Sequence, residues 1–171
     1  MSHDLVVTNN DGVELSEALA LLKGTGILIN LDIKETKTLN ALHDLLVEYD
    51  VYAYSFLTGI EESDVSAVKD STCRDLDYYL NSQPSRWRIF TEDYQKRILE
   101  TLEKTGAVGI NCNFKYAGGQ LSDLLHSNGY KLSVWTVNRS KDIKRVLVLK
   151  PDNITTKQYD LLTTTISSWG N

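Results

Sequence analysis

Cysteine is scarce: Cys73 and Cys112 are the only two among 171 residues. A bridge between them is open, but two cysteines imply no disulfide framework. Two reduced thiols in a cytoplasmic protein are the plainer reading. Long apolar runs are also missing, and none approaches the length of a membrane span. The opening Met1-Ser2-His3-Asp4 has no basic stretch followed by an apolar one, so no secretory signal is read there. Positive charge is in deficit, with 18 Lys and Arg against 23 Asp and Glu and a net charge of −5. That balance provides no general basic field for nucleic acid or an anionic membrane; an anionic substrate would need a local cationic site or a bound cation. No internal repeat stands out, and the Gly-rich phosphate-binding turn of a dinucleotide fold is absent.

What is present fits an ordinary soluble globular protein, with 42% apolar and 24% charged residues. The length suits one domain over residues 1–171, with a real core. Helical segments are expected over 15–23, 37–49, 61–69, 91–104, from about Leu121 to a stop at Gly129, over 140–147 with Ser140 as cap, and from about Lys157. Strands are expected over 26–34, 51–56, 86–90, 107–113, 131–137 and 152–155. Residues 71–86 show no clear pattern. Strand and helix alternate, which predicts an α/β fold with a parallel sheet and covering helices. About six βα units result. A closed (β/α)8 TIM barrel needs eight and typically about 250 residues, so on that template the barrel is incomplete. An open doubly wound sheet is the alternative.

The segment Asn30-Leu31-Asp32-Ile33-Lys34-Glu35 concentrates the chemistry. It ends an apolar run, and ligands of α/β proteins gather at the C-terminal ends of strands. Alternation puts Asn30, Asp32 and Lys34 on one face. Asp32 is a candidate metal ligand and Lys34 a candidate phosphate contact; a strand-end ion pair is the alternative. His3-Asp4 is either a terminal remnant or holds a general acid/base histidine. His43 and His126 read as surface residues of their helices. Trp135, in Leu132-Ser133-Val134-Trp135-Thr136-Val137-Asn138, is either core or a ligand-facing ring. Tyr54-Ser55-Phe56, expected to end the second strand, carries the same ambiguity. Asn111 and Asn113 could hydrogen-bond a hydroxylated ligand.

In order along the chain, these motifs resemble the glycerophosphodiester phosphodiesterase family. Val13-Glu14-Leu15-Ser16-Glu17-Ala18-Leu19 is similar to the family's approach to its third barrel helix. Leu31-Asp32-Ile33-Lys34 resembles its L-N-I-E-I-K strand, and Tyr54-Ser55-Phe56 its serine-phenylalanine strand end. Gly109-Ile110-Asn111 and Leu132 to Asn138 resemble its sixth and seventh strands. Asp152-Asn153-Ile154-Thr155-Thr156 stands where the family has G-V-D-G-I-I-T-D.

The resemblance implies a (β/α)8 barrel that splits glycerophosphodiesters into an alcohol and glycerol 3-phosphate. It also implies a divalent cation, Mg2+ or Ca2+, and a pair of histidines as acid and base. Residue by residue, Asp32 stands in place of a metal-ligating glutamate and Lys34 at a phosphate-contacting lysine. Trp135 stands at a glycerol-side aromatic, and His3 at the second catalytic histidine. The family's H-R pair and E-x-D metal ligands are absent; Glu48-Tyr49-Asp50 spells E-x-D at the end of a helix, out of context. The chain thus looks like a family member that begins at the H-D motif, short of two βα units. The expected partner is a small-molecule glycerophosphodiester, with no nucleic acid and no membrane span. Another copy of the chain could cover the missing units. A non-catalytic relative that binds phosphate esters is the second functional reading.

Overall fold

The computed structural model describes residues Glu14 to Trp169. The chain divides after Tyr79 into two compact units. The first carries α1 (Leu15–Leu22), β1 (Ile29–Asp32), α2 (Leu39–Glu48), β2 (Ser55–Ile60) and α3 (Val65–Asp70). β3 (Tyr78–Asn81) straddles the division. The second carries α4 (Glu92–Thr105), β4 (Gly109–Asn113), α5 (Gly119–Ser127), β5 (Lys131–Trp135), α6 (Ser140–Leu147), β6 (Asn153–Ile154) and α7 (Tyr159–Ser167). The strands follow chain order in one sheet. Each strand is followed by a helix, so the described residues contain six βα units, against the eight of a closed (β/α)8 barrel. The fold is α/β and TIM-barrel-like, incomplete in unit count.

Local patterns account for most elements. In α2, Leu39, Leu42 and Leu46 recur at helical spacing and are all buried. α4 stops where Gly106 takes φ +82° and its N–H closes on Leu102 O. β1 and β2 run parallel with Leu31 opposite Leu57, both buried. In the second unit, β4, β5 and β6 are parallel neighbours, with Asn111 level with Ser133 and Ser133 level with Asn153. Ile110, Cys112, Leu132 and Val134 form the apolar face of these strands.

Several expected elements are corrected. The strand expected over 51–56 is displaced: Tyr52–Tyr54 is a 3-10 turn and β2 runs Ser55–Ile60. Tyr54-Ser55-Phe56 therefore enters β2 instead of ending it. The strand expected over 86–90 does not form; Arg88–Phe90 is a 3-10 turn. The third strand lies instead at Tyr78–Asn81, in the stretch that showed no pattern. β1 is shorter than the apolar run, and Lys34 lies beyond its end. Ser140 opens α6 without a side-chain capping bond.

Both cysteines are buried free thiols. Burial pushes the Cys112 thiol up to about 12 and also raises Cys73. A raised value keeps the thiol protonated and poorly nucleophilic at neutral pH. Neither cysteine is expected to react with a thiol reagent at pH 8 in the native protein. Both should react within minutes in urea, as a timed absorbance assay would record.

Candidate functional site

In the first unit the structure brings Asp32 and Lys34 together. Lys34 Nζ lies 2.5 Å from Asp32 Oδ2. Both side chains are open to water, 49% exposed for Asp32 and 78% for Lys34. Such a pair contributes little to stability. It does hold an anion and a cation, side by side and accessible, with Asp32 as the last residue of β1 and Lys34 just past it. Asn30, on the same face, is buried and takes a 2.8 Å hydrogen bond from Thr58 Oγ1. The buried part of that face is thereby hydrogen-bonded within the protein, and the exposed ion pair lies at its tip.

Gly59, at φ +81°, permits this close packing. A methyl group there would sit 2.6 Å from Asp32 Oδ1 and 2.3 Å from Ile33 O. The next turn is tied by an ion pair between Lys37 and Glu35.

In the second unit, four polar side chains link across β3, β4, β5 and β6. Asn153 Nδ2 donates to Ser133 Oγ at 2.8 Å, and Ser133 Oγ donates to Asn111 Oδ1 at 2.7 Å. Asn111 Nδ2 donates to Asn81 Oδ1 at 2.8 Å. Asn111 thus uses its amide on protein partners, and Asn113 Oδ1 accepts the Lys115 N–H in a turn. For Asn111, the sequence reading that offered it to a ligand gives way to this structural role. Two buried atoms remain without a hydrogen-bond partner among the described residues: Trp135 Nε1 and Asn153 Oδ1. Trp135 is half-buried at the C-terminal end of β5, its carbonyl accepting from Phe114 N. An indole N–H enclosed without an acceptor is a place where a ligand oxygen would be favourable.

His126, read from sequence as a surface residue, joins a hydrogen-bonded line. Its Nε2 lies 3.1 Å from Asp152 Oδ2 and its Nδ1 3.3 Å from Ser122 Oγ. The order of groups imitates a nucleophile relay. The serine, however, is buried and donates its proton to Leu149 O at 2.6 Å. Asp152 also accepts the Leu132 N–H at 2.8 Å. The line ties α5 to the starts of β5 and β6, away from the strand ends where ligands bind.

His3 lies outside the described residues. Among the described residues no group of three or more His, Cys, Asp or Glu could hold a metal ion. Asp32 alone, already paired with an ammonium, does not supply the oxygen shell of a hard divalent cation. Sequence reasoning singled out Asp32, Lys34 and Trp135 as candidates. It missed Asn81, Ser133 and Asn153 as a connected set, whose only linear signal is a polar residue among the apolar ones of each strand.

Solved structures are similar to this one in fold. A proposed glycerophosphoryl diester phosphodiesterase from Silicibacter pomeroyi aligns with TM-score 0.75 and 18% identity over 91% of this chain and 56% of its own. Another, from Agrobacterium tumefaciens, gives 0.77 and 14% over 91% and 64%. A phosphodiesterase from Oleispira antarctica, in complex with sn-glycerol-3-phosphate, gives 0.65 and 16% over 90% and 60%. The chain therefore spans less than two thirds of the length of these proteins. No protein-family model and no curated protein matches the sequence. No helix among the described residues is long and apolar enough to cross a membrane.

Proposed function

We propose that this chain is the phosphoglycerol-binding part of a glycerophosphodiester phosphodiesterase. The complete barrel would hydrolyse the diester to an alcohol and glycerol 3-phosphate. In that reaction water adds to phosphorus, the bond from phosphorus to the alcohol oxygen breaks, and the alcohol leaves with a proton. The observation that carries the reading is the accessible Asp32–Lys34 pair at the C-terminal end of β1, in a fold similar to a barrel that holds sn-glycerol-3-phosphate.

Each role is proposed residue by residue. The Lys34 ammonium neutralises phosphate charge. The Trp135 indole packs on glycerol carbons and offers its unpartnered N–H to an oxygen. His3 serves as acid or base. A divalent cation, Mg2+ or Ca2+, would supply charge stabilisation when bound. Since Asp32 is too little to hold it, its other ligands would come from outside the described residues. So would the two further βα units, from more polypeptide or a second copy. The two free thiols fit a cytoplasmic setting.

One observation favours a second reading, phosphate-ester binding without turnover. Among the described residues, the one carboxylate at the proposed metal position is already engaged by Lys34.

Titrating the chain with glycerol 3-phosphate by calorimetry tests what both readings share. Saturable binding is expected, weakened about ten-fold by Lys34→Ala, the loss of one charge-assisted contact. No binding, or equal binding by the variant, refutes both readings. Release of glycerol 3-phosphate from a glycerophosphodiester with Mg2+ or Ca2+ then separates enzyme from binder.

A further inference from the structure

The loops after β3 and β4, both in the second unit, build a feature that the phosphoglycerol reading does not use. A groove of about 320 Å3 opens there, lined by Arg86, Trp87, Phe90, Tyr116 and Leu121 among others. Its rim holds bulky rings in water. Trp87 is 87% exposed, Phe90 62% and Tyr116 37%.

The exposure does not come from a slack loop. Ile89, between the two rings, is buried, and Gln95 Nε2 donates to its carbonyl at 2.8 Å. Ser85 N donates to Tyr94 Oη at 2.9 Å, and Thr91 Oγ1 donates to Arg88 O at 2.8 Å. The Arg88 guanidinium lies 4.7 Å from the centre of the Tyr94 ring. The turn is fixed in shape while its largest apolar side chains face outward.

Charge points the same way. Residues 84–90 and 114–118 contain Arg86, Arg88 and Lys115 and no acid, in a chain of net charge −5. Acids resume only at Glu92 and Asp93, in the first turn of α4. An aromatic patch lined by Arg86, with Arg88 and Lys115 in the same two loops, matches the chemistry of an anionic lipid interface, where rings sit at headgroup level and basic side chains meet phosphates.

We propose that this turn docks the protein on an anionic bilayer surface. Trp87 and Phe90 enter the headgroup region, and Arg86, Arg88 and Lys115 face the lipid phosphates. The overall negative charge hides this surface, because its cations fall in two short acid-free stretches of an otherwise acidic chain.

Vesicle co-sedimentation of the full chain tests the proposal, using phosphatidylcholine vesicles with and without phosphatidylglycerol. Binding is expected to be about ten-fold stronger on the anionic vesicles and to weaken with salt. The double variant Trp87→Ala/Phe90→Ala should lose about ten-fold or more, and Arg86→Gln about three-fold. Quenching of tryptophan emission by bromolipid in the unaltered chain needs no variant, and Trp87→Phe should abolish most of it. Equal binding to both vesicle types, no quenching, or unchanged binding by the double variant overturns the proposal. So does a dimer in sedimentation equilibrium that Trp87→Ala dissolves, which would assign the patch to a second copy. Failure of the glycerol 3-phosphate titration would leave this inference untouched.

Discussion

Replacing Gly109 with alanine is expected to break the β4–β5 pairing outright. Gly109 opens β4 directly opposite Lys131 in the parallel register. A methyl carbon there would lie 1.9 Å from Lys131 O, 2.6 Å from Lys131 C and 2.8 Å from Lys131 N. All three are backbone atoms, so no side-chain rotation relieves the contact. The strands would have to part, yet Lys131 N–H donates to Val108 O at 2.9 Å at that point. Overpacking against flexible side chains costs about 1–3 kcal/mol; against an immobile backbone the expected loss is about 4 kcal/mol or more. That is a large share of the roughly 5–15 kcal/mol that holds a typical domain folded. Urea denaturation followed by circular dichroism should show either a steep drop in midpoint or no folded protein. Gly119→Ala is the control, because nothing lies within 4 Å of a methyl there and the residue is the first of α5. It should be neutral or slightly stabilising. A Gly109→Ala protein with an unchanged midpoint would mean that β4 and β5 are not held in this register.

The difference between what could and could not be read from the sequence follows the reach of each interaction. α2 and α4 were legible because their apolar spacing and the Gly106 stop lie within one stretch of chain. The second strand begins later than its apolar pattern suggests, because Val51 is apolar and buried yet serves a turn. Ser55 Oγ and Tyr54 N both bond to Val51 O, and β2 starts only where Ser55 meets Ile29. Arg86-Trp87-Arg88-Ile89-Phe90 alternates like a strand, but only Ile89 of the five is buried. A tight turn with one anchored side chain satisfies that pattern as well as a strand would. The Asp32–Lys34 spacing put two charges at one strand end, and the structure pairs them. The four linked polar residues could not be read, because their proximity depends on the register of four strands separated by helices.

Ser133→Ala should be the second most damaging change, and for a different reason from Gly109→Ala. Ser133 is fully buried, and its hydroxyl works in both directions, donating to Asn111 Oδ1 and accepting from Asn153 Nδ2. Alanine removes one oxygen but strands two buried amide groups. Asn153 already has its Oδ1 unpartnered among the described residues, so it would lose the side-chain bond that anchors it. A buried polar group left unmet costs about 1–3 kcal/mol, so the pair predicts about 2–6 kcal/mol from the loss of a single oxygen atom. The asymmetry can be measured with a double-mutant cycle. Asn153→Leu removes one of the stranded amides, so Ser133→Ala should cost clearly less in that background, with a coupling of about 1 kcal/mol or more. Strict additivity would mean that water enters and replaces the serine oxygen, and that this set of side chains does not organise the strands. Ser133 also lies two residues before Trp135 on the same strand face. Losing its hydroxyl should therefore disturb the indole as well, changing native tryptophan emission, whereas Lys34→Ala should leave that emission and the urea midpoint essentially unchanged.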